Sequence, residues 1–251
     1  MSRLDSIFNL PVPVIFAHRG GAGEAPESTI DGFLHGLRNG ADVLEVDVQL
    51  TRDGQPVIWH GPELDFAFNT KGNFSTDIRI WECKWPDISK ELWVRHPNPP
   101  DGEDSKLQHP NRRLMTLRQF LDFISAVKRG DFGDDLCARP FHLNIELKKT
   151  RKPAPKWTER KVYNMPEKYP YLRMFLDDLN KHLPLDTTVI VASADHRILS
   201  RFRRIQKNAY RTNLSLREQI AYSEYFGPVH IRVLGNLLDR LLAREKDDLS
   251  E

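Results

Sequence analysis

The chain has little cysteine, no long apolar run and almost no excess of either charge. Its two cysteines, Cys83 and Cys137, form neither a CxxC pair nor a zinc pattern with nearby histidines. No stretch approaches the roughly 18 uncharged apolar residues that a membrane-spanning helix needs, so no transmembrane segment is expected. Lys and Arg number 37 against 35 Asp and Glu, a net charge of +2. That balance gives no general field for nucleic acid or an anionic membrane, so any anion site must be local.

The N-terminal residues do not resemble a secretory leader. Asp5 and Asn9 interrupt the region that would have to be apolar, and no small-residue cleavage site follows. We therefore expect a cytoplasmic protein with reduced, partly buried thiols. The 251 residues, 39% hydrophobic and 29% charged, suit a single large α/β domain spanning 1–251.

Strand and helix patterns alternate along the chain, which predicts a parallel sheet covered by helices. Short apolar runs that end in polar residues predict strands at 14–19, 43–50, 56–60, 141–148 and 188–193. Apolar residues at three-and-four spacing predict helices at 28–39, 116–129, 171–182 and 197–206.

Two segments interrupt this alternation. Residues 61–113 contain three tryptophans and little periodicity, and they are too many for a bare loop, so we expect an insertion with structure of its own. Residues 149–170 are basic and contain four prolines, which is typical of a long surface loop. Both segments follow predicted strand ends, the face where parallel α/β folds bind ligands.

Two predicted strands carry acids on one side. Strand alternation places Glu45, Asp47 and Gln49 on one face, with aliphatic residues on the other. In a barrel strand the apolar side meets the helices, so the acids point inward, where a divalent cation with oxygen ligands would offset their burial. A half-exposed edge strand is the alternative.

A later strand, 142–148, repeats the pattern with Asn144, Glu146 and Lys148 on one side. Three acids beside a divalent ion leave room for Lys148 and Arg19 to hold an anionic substrate. Taken alone, Lys148 would be read as a solvated lysine at a strand end.

Two histidines end separate predicted strands, and glycine follows closely after each. His18 lies in FAHRGG and His60 in VIWHG. Phosphodiester hydrolysis needs one group to activate the nucleophile and another to protonate the leaving alkoxide, and imidazoles titrate near neutral pH.

With these motifs together, residues 14–206 resemble the glycerophosphodiester phosphodiesterase family. The matching segments are HRG, APEST, GADVLEVDVQLTRDGQPVIWH, NIELK and VIVAS. The resemblance implies a TIM-barrel-like fold with an insertion after the third strand. It implies that His18 and His60 are the general acid/base pair and that Arg19 and Lys148 bind phosphate. The implied ligands of one divalent cation, Mg²⁺ or Ca²⁺, are Glu45, Asp47 and Glu146, with Glu27 supporting the site.

The chain departs from the family pattern at three places. Gly61 follows His60 where the family usually has aspartate, and Ser193-Ala194 replaces Ser-Phe. After Ser193 too few residues remain for three barrel units of about 30 residues each, which predicts a shortened, incomplete barrel. An amphipathic helix is expected at 229–245, where it would pack on its own domain, meet a second subunit in a homodimer, or lie on a lipid surface.

The leading hypothesis is metal-dependent hydrolysis of small glycerophosphodiesters to an alcohol and glycerol 3-phosphate. One alternative keeps the site and takes a lysophospholipid as substrate. Another is a truncated barrel that binds phosphodiesters or a protein partner without turnover. A nucleic-acid substrate is disfavoured because the basic residues of 197–207 cover more than one helix face. Monomer and homodimer both stay open.

Overall fold

A computed structural model describes residues 14–61, 64, 67–68, 79–90, 92–99, 109–148, 170–184, 187–206 and 211–212. Its strands are β1 Phe16–Ala17, β2 Val43–Leu50, β3 Pro56–Ile58, β4 Ala67–Phe68, β5 Trp93–Val94, β6 His142–Leu147, β7 Val189–Ala192 and β8 Arg211–Thr212. Its α-helices are α1 Ile30–Arg38, α2 Trp85–Ser89, α3 Leu117–Arg129, α4 Asp134–Ala138, α5 Pro170–His182 and α6 His196–Gln206. Short 3₁₀ turns span His18–Gly20, Ile80–Glu82 and Pro110–Arg112.

The main sheet has the order β1-β2-β6-β7-β8, and neighbouring strands on this path are parallel. The longest pairing sets Val43–Val48 beside His142–Leu147. The sheet is thus the parallel one that the alternation of strands and helices predicts. Over the described residues its path is open, with β1 and β8 at the two ends.

β3 departs from that prediction, because it runs antiparallel to β2. Val48 pairs with Ile58 and Leu50 with Pro56. Only five residues, 51–55, connect the two strands, whereas a parallel crossover needs a dozen or more. Within this connection the Gln55 N–H donates to Thr51 Oγ1 at 3.0 Å, and Gly54 takes a φ of 83°. The reading of this strand as one more parallel barrel strand was wrong.

The hydrophobic core lies between the sheet and its helices. Leu44, Val46 and Val48 of β2 are buried against it, together with Phe33 of α1 and Phe120 of α3. The helices lie where the apolar spacing predicts them. Thr29 caps α1 by accepting from the Gly32 N–H at 3.2 Å, and Thr116 and Gln119 form a capping box at α3.

The described part of 61–113 contains the antiparallel β4–β5 pair and α2, and it packs with the flanking Val57, Trp59 and Leu114 in a second apolar cluster. Its buried members are Val57, Trp59, Leu64, Ile80, Ile88, Leu92, Val94 and Leu114. The Arg52 N–H donates to the Cys83 carbonyl at 2.7 Å, and the Trp85 N–H donates to Asp53 Oδ1 at 3.0 Å. These bonds attach the segment to the β2–β3 hairpin.

Two of the predicted segments lie outside the described residues. They are the basic loop at 149–170, apart from the residue that begins α5, and the amphipathic helix at 229–245. Among the helices that are described, none has both the length and the apolar character needed to cross a bilayer.

Helix α1 approaches the His18–Gly20 turn closely at Gly36. A Cβ placed on Gly36 would lie 2.7 Å from the Ala17 Cβ and 3.0 Å from the Gly20 carbonyl oxygen. The first distance is shorter than real Cβ contacts, so only glycine fits here without a shift of the backbone. The position of α1 is thereby tied to the turn that carries His18 and Arg19.

We expect Gly36→Ala to destabilise the fold. Alanine normally improves a helix interior by about 1 kcal/mol, but overpacking costs about 1–3 kcal/mol, which leaves a net loss of up to roughly 2 kcal/mol. Urea denaturation gives the free energy of unfolding. Gly23→Ala is the control, since a Cβ there meets nothing within 4 Å. An unchanged or raised stability of Gly36→Ala would contradict the close approach.

Candidate active site

Three carboxylates converge on the inward face of the sheet. Glu45 and Asp47 alternate with the core residues of β2 and are buried, Asp47 to 1% exposure. The parallel register sets Glu146 of β6 directly beside Asp47. One ligand oxygen from each of Glu45, Asp47 and Glu146 lies within 4.8 Å of the others. Side-chain alternation within each strand and the pairing of β2 with β6 together produce this cluster.

Lys148 balances part of this negative charge. It directly follows β6, and its Nζ lies 2.9 Å from Asp47 Oδ1 and 2.9 Å from Glu146 Oε2. The ammonium therefore bridges two of the three carboxylates.

Arg19 contacts the acids with both its backbone and its side chain. Its N–H donates to Glu45 Oε2 at 2.9 Å, and its Nη1 donates to Glu27 Oε2 at 3.0 Å. Its Nε lies 3.8 Å from Asp47 Oδ2. Arg19 adopts a left-handed conformation, with φ 52° and ψ 30°, which costs a residue with a side chain about 1–2 kcal/mol. Glu27, expected to support the site, does contact it through Arg19.

The two predicted histidines face each other across the acids. The His18 and His60 ring centroids are 6.4 Å apart, with the rings inclined at 72°. His18 Nε2 is 4.0 Å from Glu45 Oε2, and the His18 side chain is 66% exposed. The seven residues singled out in the sequence thus lie around one space.

Burial and crowding shift the protonation of the acids. Burial, and then the neighbouring Asp47, raise the pKa of Glu45 to about 7. Burial raises the pKa of Asp47 to about 6, although Lys148 opposes that shift. Burial alone would lower the pKa of Lys148, but the contacts with Asp47 and Glu146 outweigh it and raise that pKa. Lys148 therefore stays positively charged at neutral pH.

The histidines shift in the opposite direction. Burial, and then Lys148 and Arg19, lower the pKa of His60 to about 4. Burial, and then Arg19, lower the pKa of His18 as well. The His60 imidazole is therefore neutral near pH 7 and able to accept a proton.

The donor set fits a divalent cation. The Arg19 N–H donates to Glu45, and the Lys148 ammonium contacts Asp47 Oδ1 and Glu146 Oε2. Asp47 Oδ2, which is 3.8 Å from Arg19 Nε, is buried without a hydrogen bond among the described residues, so it can bind an ion. Hard oxygen ligands of this kind suit Mg²⁺ or Ca²⁺, and the three oxygens alone do not choose between them.

Gln49 has a contact that the sequence did not reveal. Alternation places it on the inward face, but nothing in the sequence gives its side chain a partner. In the structure its amide nitrogen donates to the carbonyl oxygens of Trp59, His60 and Gly61. The only sequence signal was its position two residues after Asp47 on the same face.

Cation binding should release protons and weaken as the pH falls from 8 to 5.5, because raised carboxyl pKa values keep protons on the ligands. Without metal, Glu45 and Asp47 hold more protons in the folded chain than in the unfolded chain between about pH 4.5 and 7, so their contribution to stability falls as the pH rises through that window. The lowered pKa of His60 acts in the opposite direction. Because cation binding weakens as the pH falls, Mg²⁺ or Ca²⁺ should raise the Tm more at pH 8 than at pH 5.5.

Thermal melts with EDTA or either cation measure this effect. Asp47→Asn should abolish the cation-induced rise in Tm. Asp131→Asn, which changes an exposed carboxylate paired with Arg129, should preserve it. Equal shifts at both pH values, or an undiminished shift in Asp47→Asn, would argue against this cation site.

Known proteins are similar to this chain in sequence and in fold. The model of the glycerophosphoryl diester phosphodiesterase family matches residues 18–230. A glycerophosphodiester phosphodiesterase of Bacillus altitudinis is 28% identical over 191 residues, which cover 76% of this chain and 62% of that protein. Another, from Caldanaerobacter subterraneus subsp. tengcongensis, is 41% identical over 135 residues, covering 54% of this chain and 45% of its own. The chain thus spans less than two thirds of either relative.

A solved structure agrees in fold. The Oleispira antarctica phosphodiesterase, determined in complex with the product sn-glycerol-3-phosphate, aligns with a TM-score of 0.56 and 24% identity, over 84% of this chain and 71% of that one. The fold class predicted from the sequence, α/β of the TIM-barrel type, is confirmed by these matches. Because the family model covers most of the sequence, the chain belongs to the glycerophosphoryl diester phosphodiesterase family.

Proposed function

We propose that this chain hydrolyses glycerophosphodiesters to an alcohol and glycerol 3-phosphate with the help of one divalent cation. The observation that carries the proposal is the convergence of a carboxylate cluster, two cationic side chains and two imidazoles on one space. The names of the two relatives and the product bound to the Oleispira neighbour support the same reaction class.

The charged side chains bind the phosphodiester. An Mg²⁺ or Ca²⁺ ion held by Glu45, Asp47 and Glu146 supplies Lewis-acid polarisation of the phosphoryl oxygens when bound. Arg19 and Lys148 remain positively charged and bind the remaining phosphoryl oxygens, balancing the charge that develops as the diester bond breaks.

The two imidazoles move protons at opposite ends of the reacting phosphorus. His60, with its pKa held to about 4, is neutral and accepts the proton of the attacking hydroxyl. His18 is the more exposed of the two, and its Nε2 lies 4.0 Å from Glu45 Oε2, so we assign it the proton that the leaving alkoxide receives.

A cytoplasmic location belongs to the same proposal. Cys83 and Cys137 are free thiols, as is usual for proteins of a reducing compartment. Contact of 229–245 with lipid or with a second subunit is not part of the proposal, since that segment lies outside the described residues.

The decisive assay is release of glycerol 3-phosphate from a panel of glycerophosphodiesters, with Mg²⁺, Ca²⁺ or EDTA. We expect turnover that EDTA abolishes. Both His18→Ala and His60→Ala should lower kcat by roughly 10²–10⁴-fold, since each removes a proton-transfer group. His182→Ala is the matched control, because this histidine pairs with Asp122 on the outer helices.

Three outcomes would change the proposal. Turnover of lysophospholipids alone would move the substrate to the amphiphilic diesters. Activity that persists in EDTA would remove the cation from the mechanism. No turnover of any diester by folded, metal-loaded protein would leave a barrel that binds phosphodiesters or a protein partner without hydrolysing them.

A further inference from the structure

The Gln49 side chain lies at the centre of a turn of backbone. Its Nε2 is 3.1 Å from the Trp59 carbonyl oxygen and 2.9 Å from that of His60, and it also donates to the Gly61 carbonyl. Gln49 is 7% exposed. An amide nitrogen carries two hydrogens, so three carbonyls share them, and the chain from 59 to 61 curves around this one atom.

This contact lies where the regular strand has ended. β3 stops at Ile58, and the next backbone bond to β2 runs from the Trp59 N–H to the Asp47 carbonyl at 3.0 Å. Among the described residues, no hydrogen bond holds the His60 imidazole. The position of that ring is therefore determined by the backbone that carries it, and the Gln49 amide bonds that backbone on both sides of His60.

Gln49 also connects two parts of the site. It follows Asp47 by two residues on the same face of the same strand, so its Cβ has a fixed relation to the carboxylates. The hydrogen bond from the Gln49 side chain to the His60 carbonyl therefore holds the backbone of His60, and with it the imidazole, at a set distance from the carboxylates. Shifts of about 1 Å at a reacting group cost on the order of 10²-fold in rate.

We propose that Gln49 is a positioning residue for His60, holding the 59–61 backbone so that the imidazole faces His18 across the carboxylates. This inference rests on the proposed function, in which His60 accepts a proton. Among the described residues, the Gln49 amide nitrogen bonds backbone carbonyls and no cluster oxygen, so it acts through the backbone.

Three variants test the proposal in the metal-loaded protein. Gln49→Met keeps the length of the side chain and removes the donor, so kcat should fall roughly 10–100-fold while KM stays within about twofold. Gln49→Lys supplies an ammonium with three N–H donors for the three carbonyls. Because its charge also acts on the His60 imidazole, its readout is amide exchange and not kcat. Gln55→Met is the control in the same hairpin, since that amide makes one weak contact, 3.4 Å from the Pro56 carbonyl.

A double-mutant cycle separates positioning from general destabilisation. In a His60→Ala background, Gln49→Met should lower kcat by less than about twofold, because the group it positions is gone. Losses that multiply in the double variant would overturn the proposal, as would an unchanged kcat in Gln49→Met alone.

Hydrogen exchange keeps this inference separate from the proposed reaction. Amide exchange at residues 59–61 should accelerate in Gln49→Met and return towards the wild-type rate in Gln49→Lys, whether or not a diester is turned over. If wild type is inactive, the proposed function fails, and unchanged exchange would then overturn the positioning role as well. If wild type is active and exchange is unchanged, the positioning role alone fails.

Discussion

The burial of three carboxylates side by side is the constraint on which the rest of the site depends. Glu45, Asp47 and Glu146 would repel one another strongly in a low-dielectric interior, and the raised pKa values of Glu45 and Asp47 express that cost. Lys148 and Arg19 offset part of it through direct contacts. The divalent ion that we propose for these ligands would reverse the remaining imbalance and attract a phosphodiester anion.

The inward acidic face could be read from the sequence because alternation is a local property of a strand. It placed Glu45 and Asp47 on one face and Glu146 on another strand, but only pairing of β2 with β6 brings them together. No pattern in the sequence predicted that pairing, which the structure supplies. The antiparallel direction of β3 follows from its five-residue connection to β2, which is too short for a parallel crossover. The Gln49 contact was not readable, since it depends on how a distant backbone curves around an uncharged side chain.

The second apolar cluster and the acidic site share one strand end. Trp59 is fully buried among the apolar residues of the insertion, and the next residue, His60, belongs to the site. Two hydrogen bonds attach the insertion to the same hairpin: the Arg52 N–H donates to the Cys83 carbonyl, and the Trp85 N–H donates to the Asp53 carboxylate. The packing of Trp59 in the insertion thus affects the position of the His60 imidazole through the one peptide unit that joins the two residues. This coupling is a structural reason for the insertion to follow β3.

The distribution of site residues along the chain has a consequence for synthesis on the ribosome. Arg19, both histidines, Glu45 and Asp47 emerge early, whereas Glu146 and Lys148 emerge only with β6. Until β6 aligns with β2, the nascent chain has two crowded acids but lacks both the third carboxylate and its bridging ammonium. The early segment therefore lacks the third ligand of the proposed cation site, which is complete only after the long-range pairing of β6 with β2.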